Sequence, residues 1–74
     1  MAALPVVSGR EAIRAFEALG YEVKPGRGKG DHVIMKCPGR TTLSVPLHKE
    51  LAPGTLRNLI KFSGCTVEEF RDLL

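Results

Sequence analysis

Apolar positions follow a helical spacing at the start of the chain and an alternating one through its middle. Ala12, Ile13, Ala15, Phe16 and Leu19 fall on a single stripe of a helix. Ahead of them, Ser8-Gly9-Arg10-Glu11 is a capping box, whose serine and glutamate side chains each satisfy a backbone N–H left free by the first turn. Gly20 is suited to end the element in a left-handed conformation, so the spacing predicts a helix over 9–19. Tyr21-Glu22-Val23-Lys24 then alternates apolar and charged residues, the pattern of a strand with one buried face. Residues 32–37 and 41–45 read as two more strands, joined by Pro38-Gly39-Arg40, a turn short enough for a hairpin. Alternation sends Tyr21, Val23, Val33, Met35, Leu43 and Val45 towards the helices. It leaves His32, Ile34, Lys36, Thr42 and Ser44 facing the other way.

Pro53 suits the first turn of a second helix, where the N–H it lacks would be unpaired in any case. Leu56, Leu59, Ile60 and Ser63 give that helix a buried stripe, Arg57 and Lys61 share its exposed face, and Gly64 stops it. Thr66-Val67-Glu68-Glu69 is a second capping box, opening a short final helix from which Val67, Phe70, Leu73 and Leu74 are expected to dock on the core. The predicted order is α-β-β-β-α-α, an α+β fold with a three-stranded antiparallel sheet and helices on one face. Seventy-four residues allow a single domain over 1–74, with 1–7 expected to be loosely ordered.

Size limits function. A chain this short buries only about 60% of the surface that its unfolded form exposes, so nearly every apolar residue is needed for the core and any site must lie at the surface. With 43% hydrophobic and 26% charged residues the composition is that of a globular protein. The apolar opening, Met1 to Val7, lacks a basic leader, is interrupted by Pro5 and falls short of the roughly 20 residues that span a bilayer. No membrane association is expected. Cys37 and Cys65 are too few for a disulfide framework and form no CxxC pair, so the expected location is the reducing cytoplasm.

The net charge of +3 is unevenly spread. From Lys24 to Lys61 there are eight basic residues (Lys24, Arg27, Lys29, Lys36, Arg40, Lys49, Arg57, Lys61) against Asp31 and Glu50, and the two ends together carry −3. Such a field favours a polyanion at the central region, through release of the counterions condensed on phosphates. A solvated surface that happens to be basic accounts for the charge equally well.

The segment Lys24-Pro25-Gly26-Arg27-Gly28-Lys29-Gly30-Asp31-His32 is the most informative. Gly26, Gly28 and Gly30 let the backbone approach a bulky ligand, Arg27 and Lys29 can meet phosphates, and His32 stands where the next strand begins. A flexible hairpin loop kept wet by its charges is the competing account. A P-loop or dinucleotide fingerprint is excluded, because those loops lead into a helix whose N-terminus holds the phosphate, whereas here a strand follows. His32, Cys37, His48 and Cys65 match no common zinc spacing, so neither a metal nor any other cofactor is expected.

In order and spacing the chain resembles the HicA toxin family from Ser8 to Leu74. The resemblance rests on Leu19-Gly20-Tyr21 closing the first helix, Gly30-Asp31-His32 opening the second strand, Val45-Pro46 with His48 close behind, Gly54-Thr55-Leu56, and Glu69-Phe70. It implies a fold similar to a double-stranded-RNA-binding domain, cleavage of messenger RNA by a single histidine, and inhibition by an antitoxin of the HicB type. The family's catalytic position maps onto His32. Where the family most often has serine before that histidine, this chain has Asp31, a carboxylate that can favour the protonated imidazole or repel an approaching phosphate.

An imidazole, with an ordinary pKa of about 6.5, can accept the proton of a ribose 2′-hydroxyl at neutral pH, so that the oxygen attacks the adjacent phosphorus. Arg27, Lys29 and Lys36 are the cations expected to stabilise the charge that develops on the phosphoryl oxygens. Lys24, Lys49, Arg57 and Lys61 are expected to hold the strand by its phosphates, and Gly28, Gly30 and Asp31 to support the site. His48 either lines the same surface or is satisfied by a backbone carbonyl. A non-catalytic module gripping RNA by shape and phosphates would need the same basic surface without a poised histidine. A subunit whose basic face meets an acidic protein partner is a third reading.

Overall fold

Both ends of α1 (Gly9–Leu19) are closed by local chemistry. In the computed structural model, which describes residues 3–25 and 30–74, the Ser8 hydroxyl accepts from the Glu11 N–H at 3.1 Å. Glu11 Oε1 accepts from the Ser8 N–H at 2.9 Å. At the other end Gly20 takes a φ of 124°, its N–H donates to the Glu17 carbonyl at 3.0 Å, and the Tyr21 N–H reaches the Phe16 carbonyl at 2.9 Å. These two bonds are a Schellman closure, completed by an apolar contact between the rings of Tyr21 and Phe16, whose centroids lie 6.0 Å apart. The closure also shortens the first strand. Tyr21 spends its N–H on the helix, so β1 is only Glu22–Val23 rather than 21–24.

β2 (His32–Lys36) and β3 (Leu43–Pro46) complete an antiparallel sheet in the order β1-β2-β3. Val33 pairs with Val45, Met35 with Leu43, and Val23 with Met35, so the expected apolar set lies on one face. Met35, Leu43 and Val45 are fully buried there. β3 starts two residues later than the pattern predicts because the connection is drawn elsewhere: the Tyr21 hydroxyl donates to the Thr41 carbonyl at 2.6 Å. Pro46 ends the strand at a sheet edge, where its missing N–H costs no ladder bond.

α2 (Pro53–Ser63) begins at a proline and stops at Gly64 in the left-handed region, as the sequence predicts. Leu56, Leu59, Ile60 and Ser63 are its buried residues. The Ser63 hydroxyl is satisfied in the core by donating to the Ile60 carbonyl at 2.7 Å. Arg40, at the β2–β3 turn, donates to the Ser63 carbonyl at 2.5 Å, which satisfies an end-of-helix acceptor with a cation and ties the turn to α2. α3 (Val67–Asp72) carries the second capping box and buries Phe70 against Phe16, with ring centroids 5.1 Å apart. One expectation fails here. α3 ends at Asp72, so Leu74 lies past the helical period and is 55% exposed, while Leu73 packs partly against the core.

α1 and α2 both pack on β3, and α3 packs on α2, giving the α+β layout of a double-stranded-RNA-binding domain. Residues ahead of α1 take part in the core, since Val7 is buried and Leu4 packs against it. Among the described residues no helix is long and apolar enough to cross a membrane.

Gly9 is the tightest of the described glycines. A Cβ there would collide with the Pro46 carbonyl oxygen and lie 3.0 Å from Leu47 Cα. In an open helical turn Gly→Ala gains up to about 1 kcal/mol of helix propensity. Here Gly9→Ala is expected to destabilise instead, by about 1–3 kcal/mol, because the obstacle is backbone. A urea midpoint at or above that of the parent would refute this.

Burial raises the Tyr21 phenol above its ordinary 10.0, the Cys37 thiol pushes the same way, and the Arg40 guanidinium opposes them. The fold therefore favours the neutral phenol, and that stabilisation is complete below pH about 10 and lost as pH rises through the raised value. Tyr21→Phe is expected to lose about 1 kcal/mol at neutral pH with its hydrogen bond and to show a shallower alkaline decline. Urea titrations at neutral pH and above pH about 10 measure both.

Candidate active site

The site forms where β2 begins. Gly30 has a φ of 59°, a left-handed turn that only glycine adopts freely, and it delivers the chain into Asp31 and His32. The strand starts at His32, so Asp31 is not bound by the strand's alternation of faces, and its carboxylate turns to the neighbouring ring. Asp31 Oδ1 stands 3.2 Å from His32 Nδ1. Its other oxygen, Oδ2, stands 3.5 Å from His48 Nε2. Two imidazoles thus flank one carboxylate, and all three are open to solvent, with side chains 46% (His32), 61% (Asp31) and 55% (His48) exposed. His48 was expected either beside His32 or against a backbone carbonyl, and its ring is found facing the carboxylate that His32 also faces.

Backbone bonds hold His48 in position. The Leu47 N–H donates to the Asp31 carbonyl at 2.7 Å, extending the β2–β3 pairing one step beyond His32 and Pro46. The Gly9 N–H donates to the His48 carbonyl at 2.9 Å, and the Leu51 N–H to the Val7 carbonyl at 2.8 Å. The loop after β3 is therefore fastened to β2 on one side and to the start of α1 on the other. Sequence reasoning missed this link, although reflecting the hairpin about Gly39 carries Asp31 onto Leu47 and sets His48 next to it.

The basic residues divide into groups. Lys24 and Lys36 come together on the outer face of the sheet, where with Glu22, Cys37, Pro38 and Thr42 they line a shallow cleft. The Lys24 N–H donates to the Ile34 carbonyl, continuing the β1–β2 pairing, while its Nζ lies 3.7 Å from Glu22 Oε1. Both partners of that ion pair are exposed, so it holds Lys24 only weakly. Lys49 is exposed on the loop that carries His48. Arg57 and Lys61 are exposed on α2, whose buried residues join the core on the inner face of the sheet. Arg40 serves the end of α2. Gly26, Arg27, Gly28 and Lys29 lie outside the described residues.

Cys65 is buried beside Ser63, with Sγ 3.1 Å from Oγ, and Cys37 is half-buried at the end of β2. Among the described residues no three His, Cys, Asp or Glu side chains converge as metal ligands would. His32 and His48 lie near different oxygens of Asp31.

Among curated proteins none matches the chain. A family model described as the HicA toxin of bacterial toxin–antitoxin matches residues 9–65. That span holds α1, the whole sheet, α2, Asp31 and both histidines. The protein belongs to the HicA toxin family, and membership implies an antitoxin as its partner.

Proposed function

We propose that this toxin is a metal-independent endoribonuclease that cleaves messenger RNA by internal attack of a ribose 2′-hydroxyl, with His32 as its catalytic histidine. The observation that carries the reading is a solvent-open imidazole whose Nδ1 faces the Asp31 carboxylate at 3.2 Å. A carboxylate there favours the proton on Nδ1, which leaves the Nε2 lone pair for the substrate. The 2′-oxygen then bonds to phosphorus and the bond to the 5′-oxygen breaks, giving a 2′,3′-cyclic phosphate and a 5′-hydroxyl end. The nucleophile belongs to the substrate, so no metal-bound water is assigned.

In this reading Lys24, Arg27, Lys29 and Lys36 meet phosphates, and Lys49 extends the cationic set past His48. Gly28 and Gly30, having no side chain, leave room for the ribose-phosphate chain. Three of the four aromatic residues, Phe16, Tyr21 and Phe70, are buried, which supports phosphate-led binding over base stacking. The cytoplasm, where messenger RNA is accessible, is the proposed place of action, and an antitoxin of the HicB type the proposed inhibitor.

His32→Ala is expected to lower the cleavage rate of single-stranded RNA by about 10²–10⁴-fold, with chelator leaving the parent's activity intact and the DNA counterpart uncut. Undiminished cleavage by the variant would overturn the assignment, and binding by the parent without cleavage would identify a non-catalytic RNA-binding module.

Lys36→Gln is expected to reduce the slope of log affinity against log salt by about 0.7, as the loss of one single-strand phosphate contact requires. Arg57→Gln is expected to leave that slope unchanged. The reverse pattern would move the RNA path onto α2.

A further inference from the structure

The proposed reaction needs two proton transfers. As the 2′-oxygen bonds to phosphorus it loses a proton, and as the 5′-oxygen departs on the opposite side it must gain one, since an unprotonated alkoxide is a poor leaving group. A ring whose Nδ1 faces Asp31 offers one nitrogen, Nε2, to the substrate, and that nitrogen is occupied in accepting the first proton. The second transfer calls for another group.

We propose that His48 is the general acid of this site, donating from Nδ1 to the departing 5′-oxygen while His32 Nε2 takes the 2′-hydroxyl proton. The inference rests on the nuclease reading given above. Three observations carry it. His48 Nε2 lies 3.5 Å from Asp31 Oδ2 while His32 Nδ1 lies 3.2 Å from Oδ1, so one nitrogen of each ring is within ion-pair distance of the shared carboxylate and each ring has a second nitrogen that can serve a ligand. Both rings are solvent-open, with side chains 46% (His32) and 55% (His48) exposed, so a phosphodiester can reach them. The backbone of His48 is fixed, its carbonyl accepting from the Gly9 N–H at 2.9 Å and the neighbouring Leu47 N–H bound to Asp31.

The shared carboxylate gives the pair a further property. Before the step His48 is the imidazolium and His32 is neutral, and after it the charges are exchanged. In both states one cation faces Asp31, so the carboxylate and the two rings sum to zero throughout. The two rings can thus exchange roles with no change in the charge that the carboxylate faces, the condition that an acid–base pair requires. Exchange of both rings with water resets the site. Asp31 acts through the rings, as a positioning residue.

The test compares two RNA oligonucleotides with one cleavable linkage, one ordinary and one in which sulfur replaces the bridging 5′-oxygen. A thiolate departs without being protonated, so the sulfur substrate needs the base and not the acid. His48→Gln is expected to cleave the ordinary substrate about 10²-fold or more slowly and the sulfur substrate at close to the parent rate. His32→Ala is expected to be defective on both. Equal slowing of His48→Gln on the two substrates, as a purely structural role would give, overturns the inference, as does a parental rate on the ordinary one. In either case an inactive His32→Ala leaves the nuclease reading standing. Parental activity in His32→Ala, or a parent protein that cleaves neither substrate, removes both.

Discussion

Where α1 begins, the backbone of Gly9 lies against that of Pro46 and Leu47 with no room for a side chain between them. This approach lets the Gly9 N–H reach the His48 carbonyl, and the Leu51 N–H reach Val7 one turn of chain away. A loop that would otherwise leave the sheet as a free connection is held along two sides. A small domain has few ways to make a surface group rigid, because its core is spent on holding the elements together. Here the first turn of a capped helix does it, and the imidazole of His48 is set opposite the residue that precedes β2.

The division of labour between the two faces of the sheet follows from alternation. Met35, Leu43 and Val45 fill the inner face, joined by Phe16, Tyr21 and Phe70 from the surrounding elements, so the aromatic side chains serve the core. Only Phe62 among the aromatic residues is substantially exposed, and it belongs to α2. The outer face is left with Ile34, Thr42, Ser44, Glu22 and the cations Lys24 and Lys36, and His32 stands at its end. A surface of this make-up offers charge and hydrogen-bonding groups rather than an aromatic platform for stacked bases.

The elements were legible because their signals are local. Two capping boxes, a Schellman glycine, a proline at the start of α2 and a left-handed glycine at its end each act within a few residues, and the structure contains every one of them. Departures occur where another bond competes or where the period runs out. Tyr21 left the first strand because its N–H closes the helix, and Thr41 left the third because its carbonyl takes the Tyr21 hydroxyl. Leu74 failed to dock because helical periodicity predicts nothing past the last turn.

The sequence by itself determined the order of elements, the buried face of the sheet and the family resemblance, because hydrophobic spacing, cap residues and motif order are properties of neighbours in the chain. Only the tertiary structure decided that His48 joins Asp31, that Arg40 serves the end of α2, and that Lys24 and Lys36 line one cleft. Those outcomes depend on strand register and on where helices cross the sheet. Residues 16 positions apart, as His32 and His48 are, meet only when a hairpin folds them together, and distance along the chain carries no record of that meeting.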